Sequence, residues 1–149
     1  MVRFSKKIEY ALGTLQYLGL NPTTSFSARE LSEALNIPYE FLSKTLAQLV
    51  KSGILNSNQG KKGGYQLAIL PREVKFSQVL EALGEPLNVV ECATSDDEIC
   101  SRSNICLIKT PMFQLQAKLN EIIGSMTLED LISILNENNE NQNVTQMVV

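Results

Sequence analysis

Apolar residues recur at helical spacing from the start of the chain. Phe4, Ile8, Leu12, Leu15 and Leu18 mark one side of a helix predicted over Arg3–Leu20, which Asn21 and Pro22 end. Ser27 followed by Glu30 three positions on is a capping box, and it opens a second helix with Ala28, Leu31, Ala34 and Leu35 on its buried side. Asn36-Ile37-Pro38 forms a tight turn, and the proline suits the first turn of a third helix that runs to about Ser52, where Gly53 supplies the stop. Leu42, Leu46, Leu49 and Val50 form the core stripe of that third helix, with Glu40, Ser43, Lys44, Ala47, Gln48 and Lys51 on the opposite side. Two short helices across a tight turn, behind a longer first helix, predict a helix-turn-helix. Its second helix would lay its N-terminal half in a DNA major groove.

The period then changes. Ile54–Asn58 and Tyr65–Leu70 read as two strands, separated by Gln59-Gly60-Lys61-Lys62-Gly63-Gly64. Glycine gives such a tip its positive φ and its close backbone approach. Lys61 and Lys62 put two cations there to meet phosphates or a minor groove. A hairpin a few residues after a recognition-type helix is a wing. A phosphate-cradling nucleotide loop is not expected, because no helix starts directly after the glycines. Pro71 closes the wing, and Phe76, Val79, Leu80 and Leu83 predict a short packing helix ended by Gly84 and Pro86. Farther on, Thr110 as N-cap and Pro111 at the first position open a helix of about 15 residues striped by Met112, Leu115, Leu119, Ile122, Ile123 and Met126. Thr127-Leu128-Glu129-Asp130 starts a last short helix with Leu131, Ile132 and Leu135, and the aperiodic Asn/Gln/Glu-rich stretch from Glu137 to Val149 is expected to be a disordered tail.

Charge sharpens this picture. The net charge of −3 is unhelpful for a polyanion partner until the chain is divided. Residues 1–75 carry ten Lys/Arg against five acids, whereas residues 76–149 carry three against eleven. The basic half, which holds the helix-turn-helix and the wing, would attract DNA and the acidic half would repel it. A 44% hydrophobic content is enough for a core, no apolar run of about 18 residues predicts a membrane span, and the first residues do not form a signal peptide. A cytoplasmic protein is expected. With no histidine in the chain and no nucleophile–base pair or phosphate motif, catalysis is not expected.

All three cysteines, Cys92, Cys100 and Cys106, fall in one segment with C-x7-C-x5-C spacing. An odd number in a cytosolic chain argues against a disulfide framework. Clustered thiolates suit a soft metal or an iron–sulfur cluster, and a redox thiol switch is the other reading. Spacing alone does not choose between them.

The order of parts resembles the IscR/NsrR-type (Rrf-type) family of bacterial winged-helix transcriptional regulators, over Arg3 to about Leu135. The resemblance is carried by Lys6-Lys7-Ile8-Glu9-Tyr10-Ala11-Leu12, by Ile37-Pro38-Tyr39-Glu40-Phe41-Leu42, by the wing Gly60-Lys61-Lys62-Gly63-Gly64-Tyr65, and by the three-cysteine loop. It implies a homodimer that binds pseudo-palindromic double-stranded operators. It further implies a 2Fe–2S or 4Fe–4S cluster on Cys92, Cys100 and Cys106. IscR-like members place a histidine three residues after the last cysteine, where this chain has Lys109; NsrR-like members use an acidic residue of the partner's first helix, a position held here by Glu9. Glu91, Asp96, Asp97 and Glu98 are competing oxygen donors, and their charge should lower the cluster's reduction potential. Many members carry an arginine just before the wing glycine, where this chain has Gln59, so operator preference should differ.

The expected fold is therefore mostly α with a small β-hairpin wing: a winged helix-turn-helix over residues 1–75, a connecting helix and cysteine loop over 76–109, a dimerisation helix and short final helix over 110–136, and the tail. The expected DNA-contacting residues are Arg3, Ser27, Tyr39, Glu40, Ser43, Lys44, Gln48, Gln59, Gly60, Lys61, Lys62, Gly63 and Tyr65. The expected function is a regulator whose operator affinity follows the cluster, with a cluster-free thiol- or partner-controlled regulator as the alternative.

Overall fold

The computed structural model describes residues 4–60, 63–89, 105–134 and 136. Helix α1 runs Lys6–Leu20, one turn later than the sequence pattern suggests, because Ser5 is its N-cap and accepts a hydrogen bond from the Ile8 N–H at 3.3 Å. Phe4 therefore lies ahead of the helix, exposed, with its ring edge-on to Phe76 at 5.7 Å. The buried stripe of α1 is Ile8, Ala11, Thr14, Leu15 and Leu18, with Leu12 only half-buried. Thr14 is tolerated inside because its hydroxyl donates to the Tyr10 carbonyl at 2.7 Å.

Helix α2 spans Ala28–Leu35 behind the anticipated capping box: the Ser27 hydroxyl accepts from the Glu30 N–H and the Ser27 N–H donates to Glu30 Oε2. Of the four residues assigned to its buried side, Leu31 is fully buried, Ala28 and Leu35 pack partly, and Ala34 is exposed. Eight residues make barely two turns, and α2 lies against its neighbours along a narrow line that Ala34 misses. Asn36 then turns the chain with φ +51°, a left-handed conformation that asparagine tolerates. Ile37 is buried there, its N–H bonded to the Ser32 carbonyl at 3.0 Å and its own carbonyl accepting from the Ser32 hydroxyl at 2.6 Å. Helix α3, Tyr39–Lys51, begins one position later than the proline suggests: Pro38 is the N-cap, not the first helical residue, and its carbonyl accepts from the Leu42 N–H at 3.0 Å. The buried stripe is Leu42, Thr45, Leu46 and Leu49; Val50 is half-buried. Thr45 was not in the expected stripe, and it enters by donating to the Phe41 carbonyl at 3.0 Å.

Gly53, at φ +79°, turns α3 into the hairpin of β1 (Leu55–Asn58) and β2 (Gly64–Leu67). The strands are antiparallel, with Leu55 opposite Leu67 and Asn58 opposite Gly64. β2 ends at Leu67, three residues short of the expected run, and Ile69 and Leu70 are exposed. A short 3-10 turn over Pro71–Glu73 leads to helix α4, Phe76–Leu83, whose four anticipated residues are all buried and whose end is set by Gly84 at φ +67°. Helix α5, Lys109–Ser125, starts with Ile108 as N-cap, so Thr110 is inside the first turn rather than capping it. Pro111 remains compatible there, since first-turn N–H groups have no intrahelical acceptor. A last helix, α6, covers residues 128–134. One hydrophobic core collects α1 to α4 and β1, and Ile123 and Leu128 join it from the C-terminal part.

Candidate nucleic-acid interface and thiol segment

The core stripe of α3 turns its opposite side outward. Tyr39, Glu40, Lys44, Ala47 and Lys51 are exposed there, and Ser43 and Gln48 are half-buried beside them. Spacings of three and four put Glu40, Lys44, Gln48 and Lys51 on one helical face. That face combines two cations with an amide and one carboxylate, and Ser43 adds a hydroxyl beside it, groups able to position phosphates and contact base edges.

The wing is set against the approach to α2 by backbone geometry. Phe26 pairs with Tyr65 as an isolated bridge, the Phe26 N–H donating to the Tyr65 carbonyl at 3.1 Å and the Tyr65 N–H to the Phe26 carbonyl at 2.7 Å. Glycine at position 64 is required: a Cβ there would lie 2.6 Å from the Phe26 carbonyl carbon and oxygen. At the tip the Gly63 N–H donates to the Gly60 carbonyl at 2.9 Å, and Gly60 sits at φ +126°. Gln59 and Gly60 are exposed, whereas Gly63 is half-buried. Tyr65 is also half-buried, its ring packed against the core.

Between the wing tip and the start of α2 lies a polar concavity lined by Thr23, Thr24, Ser25, Ser27, Arg29, Glu30, Glu33, Gly60 and Gly63. It brings together Ser27, Gly60 and Gly63 from the expected DNA-contacting set. It also adds Thr23, Thr24 and Arg29, which sequence reasoning missed; hydroxyls before a capping box and a cation just inside the helix were the available signal. Ser27 spends its hydroxyl acceptor on the Glu30 N–H. The Ser27 backbone N–H and then its hydroxyl hold the Glu30 carboxyl below its ordinary value. Arg3, Lys61 and Lys62 lie outside the described residues.

Of the expected cluster ligands, Cys92 and Cys100 also lie outside the described residues, as do Glu91, Asp96, Asp97 and Glu98. Cys106 is a free, half-buried thiol one turn ahead of α5, its carbonyl accepting from the Lys109 N–H at 3.3 Å. Glu9 stands in the first turn of α1, exposed and paired with the Lys6 ammonium. Among the described residues no three potential metal ligands converge. The donor set itself fits an iron–sulfur centre: three thiols close together in the sequence and an accessible carboxylate on α1.

The leading margin of the thiol segment is fastened at several points. The Lys7 ammonium donates to the Leu83 carbonyl at 2.6 Å, and the Ser5 hydroxyl donates to Glu85, tying the start of α1 to the end of α4. Gln116 of α5 is buried in the middle of the expected apolar stripe and bonds the backbone of Leu87 and Val89. The stripe is consequently broken: Gln116 and Ile123 face inward, Leu119 packs partly, and Leu115 and Ile122 are exposed.

The sequence model of the family described as "Rrf2: Iron-dependent Transcriptional regulator" matches residues 4–134. The chain is 28% identical to the HTH-type transcriptional regulator NsrR of Halalkalibacterium halodurans over 126 residues, 84% of this chain and 86% of that one. Its fold is similar to that of CymR, the global cysteine regulator of B. subtilis, with a TM-score of 0.72 at 22% identity, covering 90% of this chain and 98% of that one. It is equally similar to T. potens IscR, with a TM-score of 0.72 at 21% identity over 92% and 90% of the two chains.

Proposed function

The chain belongs to the Rrf2 family of transcriptional regulators, a DNA-binding regulator and not an enzyme, and on that premise we propose that its operator affinity is set by an iron–sulfur cluster held in a homodimer. The observation that carries the DNA half is the tight turn at Asn36 delivering α3, its polar face outward, beside a wing locked to Phe26. Tyr39, Glu40, Ser43, Lys44 and Gln48 meet the major groove. Arg3, Ser27, Gln59, Gly60, Lys61, Lys62, Gly63 and Tyr65 belong to the flanking backbone and minor-groove contacts. The protein acts in the cytoplasm, and no helix among the described residues is long and apolar enough to cross a membrane.

Cys92, Cys100 and Cys106 would hold the cluster, with Glu9 of the second copy as the fourth ligand. When bound, the cluster supplies an inorganic centre whose loss or oxidation is the signal. Exposed Phe113, Leu115 and Ile122 on α5 support the second copy, since a lone chain leaves these side chains in water. Two copies set their α3 helices about one DNA turn apart, ~34 Å. Glu9 rides on the first turn of α1, so engaging it ties one copy's thiol segment to the other copy's head. Only a difference in operator affinity between loaded and empty dimers makes this a switch.

Control by the thiols alone, without a cluster, is the second reading. It is favoured by the lack of any histidine and by Lys109 at the position where some relatives would offer one. Protein purified without oxygen separates the two readings. Wild type is expected to carry iron and sulfide with visible absorption, and Glu9→Ala to retain the fold but lose most of the cluster. A colourless, iron-free wild type would leave DNA binding intact and favour thiol control.

A further inference from the structure

The segment joining α1 to α2 is held in one shape by separate contacts. Asn21 and Pro22 open a tight turn, closed by the Thr24 N–H donating to the Asn21 carbonyl at 3.1 Å, with proline at the position its fixed φ suits. The Ser25 hydroxyl donates to Gln66 Oε1 at 2.7 Å, and Phe26 bridges to Tyr65. The capping box then sets the first turn of α2. The polar concavity between α2 and the wing tip therefore has a fixed wall, built before any partner arrives.

Several donors line that concavity without partners. Thr23 and Thr24 are exposed, and their hydroxyls make no hydrogen bond among the described residues. The Ser27 hydroxyl accepts from the Glu30 N–H and keeps its own hydrogen uncommitted. Arg29 is exposed and has neither a hydrogen bond nor an ion pair among the described residues. It stands in the first turn of α2, where the aligned peptide dipoles disfavour a cation, so its charge does not serve the helix. Glu33, four residues on, is within helical reach, but the order of charges is the less favourable one and the pair stands open. Glu30 Oε2 is occupied by the Ser27 N–H. With two carboxylates in its lining the concavity is poorly suited to a free anion. It suits a phosphate carried on a polymer that other contacts already hold in place.

The fold supplies such contacts. In helix-turn-helix docking the first helix of the pair crosses the sugar–phosphate backbone while the second lies in the groove. Here α2 is that first helix, and Gly60 of the wing lines the same concavity as Arg29. We propose that Arg29 is a backbone contact of the DNA-bound protein: its guanidinium binds one phosphate per copy, beside the hydroxyls of Thr23 and Thr24. It adds affinity and no sequence preference, since a phosphate carries no base identity. The inference rests on the DNA half of the proposed function and is independent of the cluster.

The test measures binding of the full chain to a fluorescein-labelled random-sequence duplex by anisotropy, as KCl is raised from 50 to 200 mM. Each phosphate contact contributes about 0.9 to the slope of log affinity against log salt. Arg29→Gln should make that slope shallower by about 0.9 for each copy engaged, so that its loss of affinity over this range is about threefold smaller per copy than the wild type's. Arg29→Lys should keep the wild-type slope. Lys118→Gln, which removes an exposed cation from α5, should keep it too. A second random duplex of different base composition should show the same change. Urea unfolding should find Arg29→Gln as stable as the wild type, because the cation gives the start of α2 nothing. Should the glutamine variant fail to fold, Arg29→Ala, with the best helix former at the site, is read in the same way. A folded Arg29 variant with the wild-type slope overturns the proposal, as does an equal change in Lys118→Gln or a change confined to one duplex. Wild type that binds neither duplex overturns the DNA reading as well, so the two failures are told apart.

Discussion

A hydroxyl placed three residues before a carboxylate decides where α2 begins, and through it where the helix-turn-helix turn falls. Ser27 accepts from the Glu30 N–H at 3.2 Å, and Glu30 Oε2 accepts from the Ser27 N–H at 2.7 Å. Ser27→Ala is expected to cost about 1 kcal/mol at neutral pH, measured by urea unfolding. Because the Ser27 N–H and hydroxyl depress the folded-state pKa of Glu30, its contribution is present above the carboxylate range and is lost as pH falls through the folded value. Asp130 behaves in the same direction through the Thr127 hydroxyl and N–H. Unfolding free energy should therefore fall on acidification, and less steeply in Ser27→Ala; identical slopes would show that the box is inactive. This motif was legible because both partners are adjacent in sequence. The cap at Thr110 was misread because the start of α5 depends on the turn from Cys106 to Lys109, which no local rule signals. Gln116 was unreadable for the same reason at longer range: a polar residue in an apolar stripe looks like an interruption until its partners, Leu87 and Val89, are brought beside it.

Among the elements, the wing depends most on a single backbone approach. Gly64 lets β2 press against Phe26, and the paired bonds between Phe26 and Tyr65 then hold the hairpin to the approach to α2. Gly64→Ala would drive its Cβ to 2.6 Å from the Phe26 carbonyl and should cost about 1–3 kcal/mol. Operator binding, measured at fixed salt, should weaken beyond what the lost stability explains; unchanged affinity would mean that the wing's angle is irrelevant. The hairpin and all three head helices were visible in the pattern of apolar positions, since Leu31, Leu42, Leu46 and Leu49 carry a helical period and are fully buried. Less visible was how narrow the contacts of short helices are. Ala34 fits the period of α2 yet faces water, while Thr45 fits the period of α3 but not its apolar character and yet is buried. Periodicity identifies a face, and the neighbour's shape decides how much of that face is used.

At the scale of the whole molecule, the apolar residues of α5 divide between two duties. Ile123 serves the chain's own core, and Ile122, 57% exposed, faces away from it. If α5 pairs two copies as proposed, Ile122→Lys should keep the fold and raise the dimer dissociation constant about tenfold or more, read by sedimentation, because an unpaired ammonium would be buried in that assembly. An unchanged sedimentation profile would exclude this face from the interface. The sequence showed α5 as a single stripe and could not separate these duties, since both use the same residue types. The far end of α5 carries a further implication. The Phe76 N–H donates to the Met126 carbonyl and the Leu128 N–H to the Val74 carbonyl, each at 2.9 Å, so the chain leaving α5 is stitched to the approach to α4. With Gln116 bonded to Leu87 and Val89 midway along, α5 is secured to the rest of its own chain at two separate heights. In the dimer proposed above, a change in how two heads straddle a duplex is then expected to be a slip of one copy over the other, like the blades of scissors turning on their rivet, and not a bending within either blade.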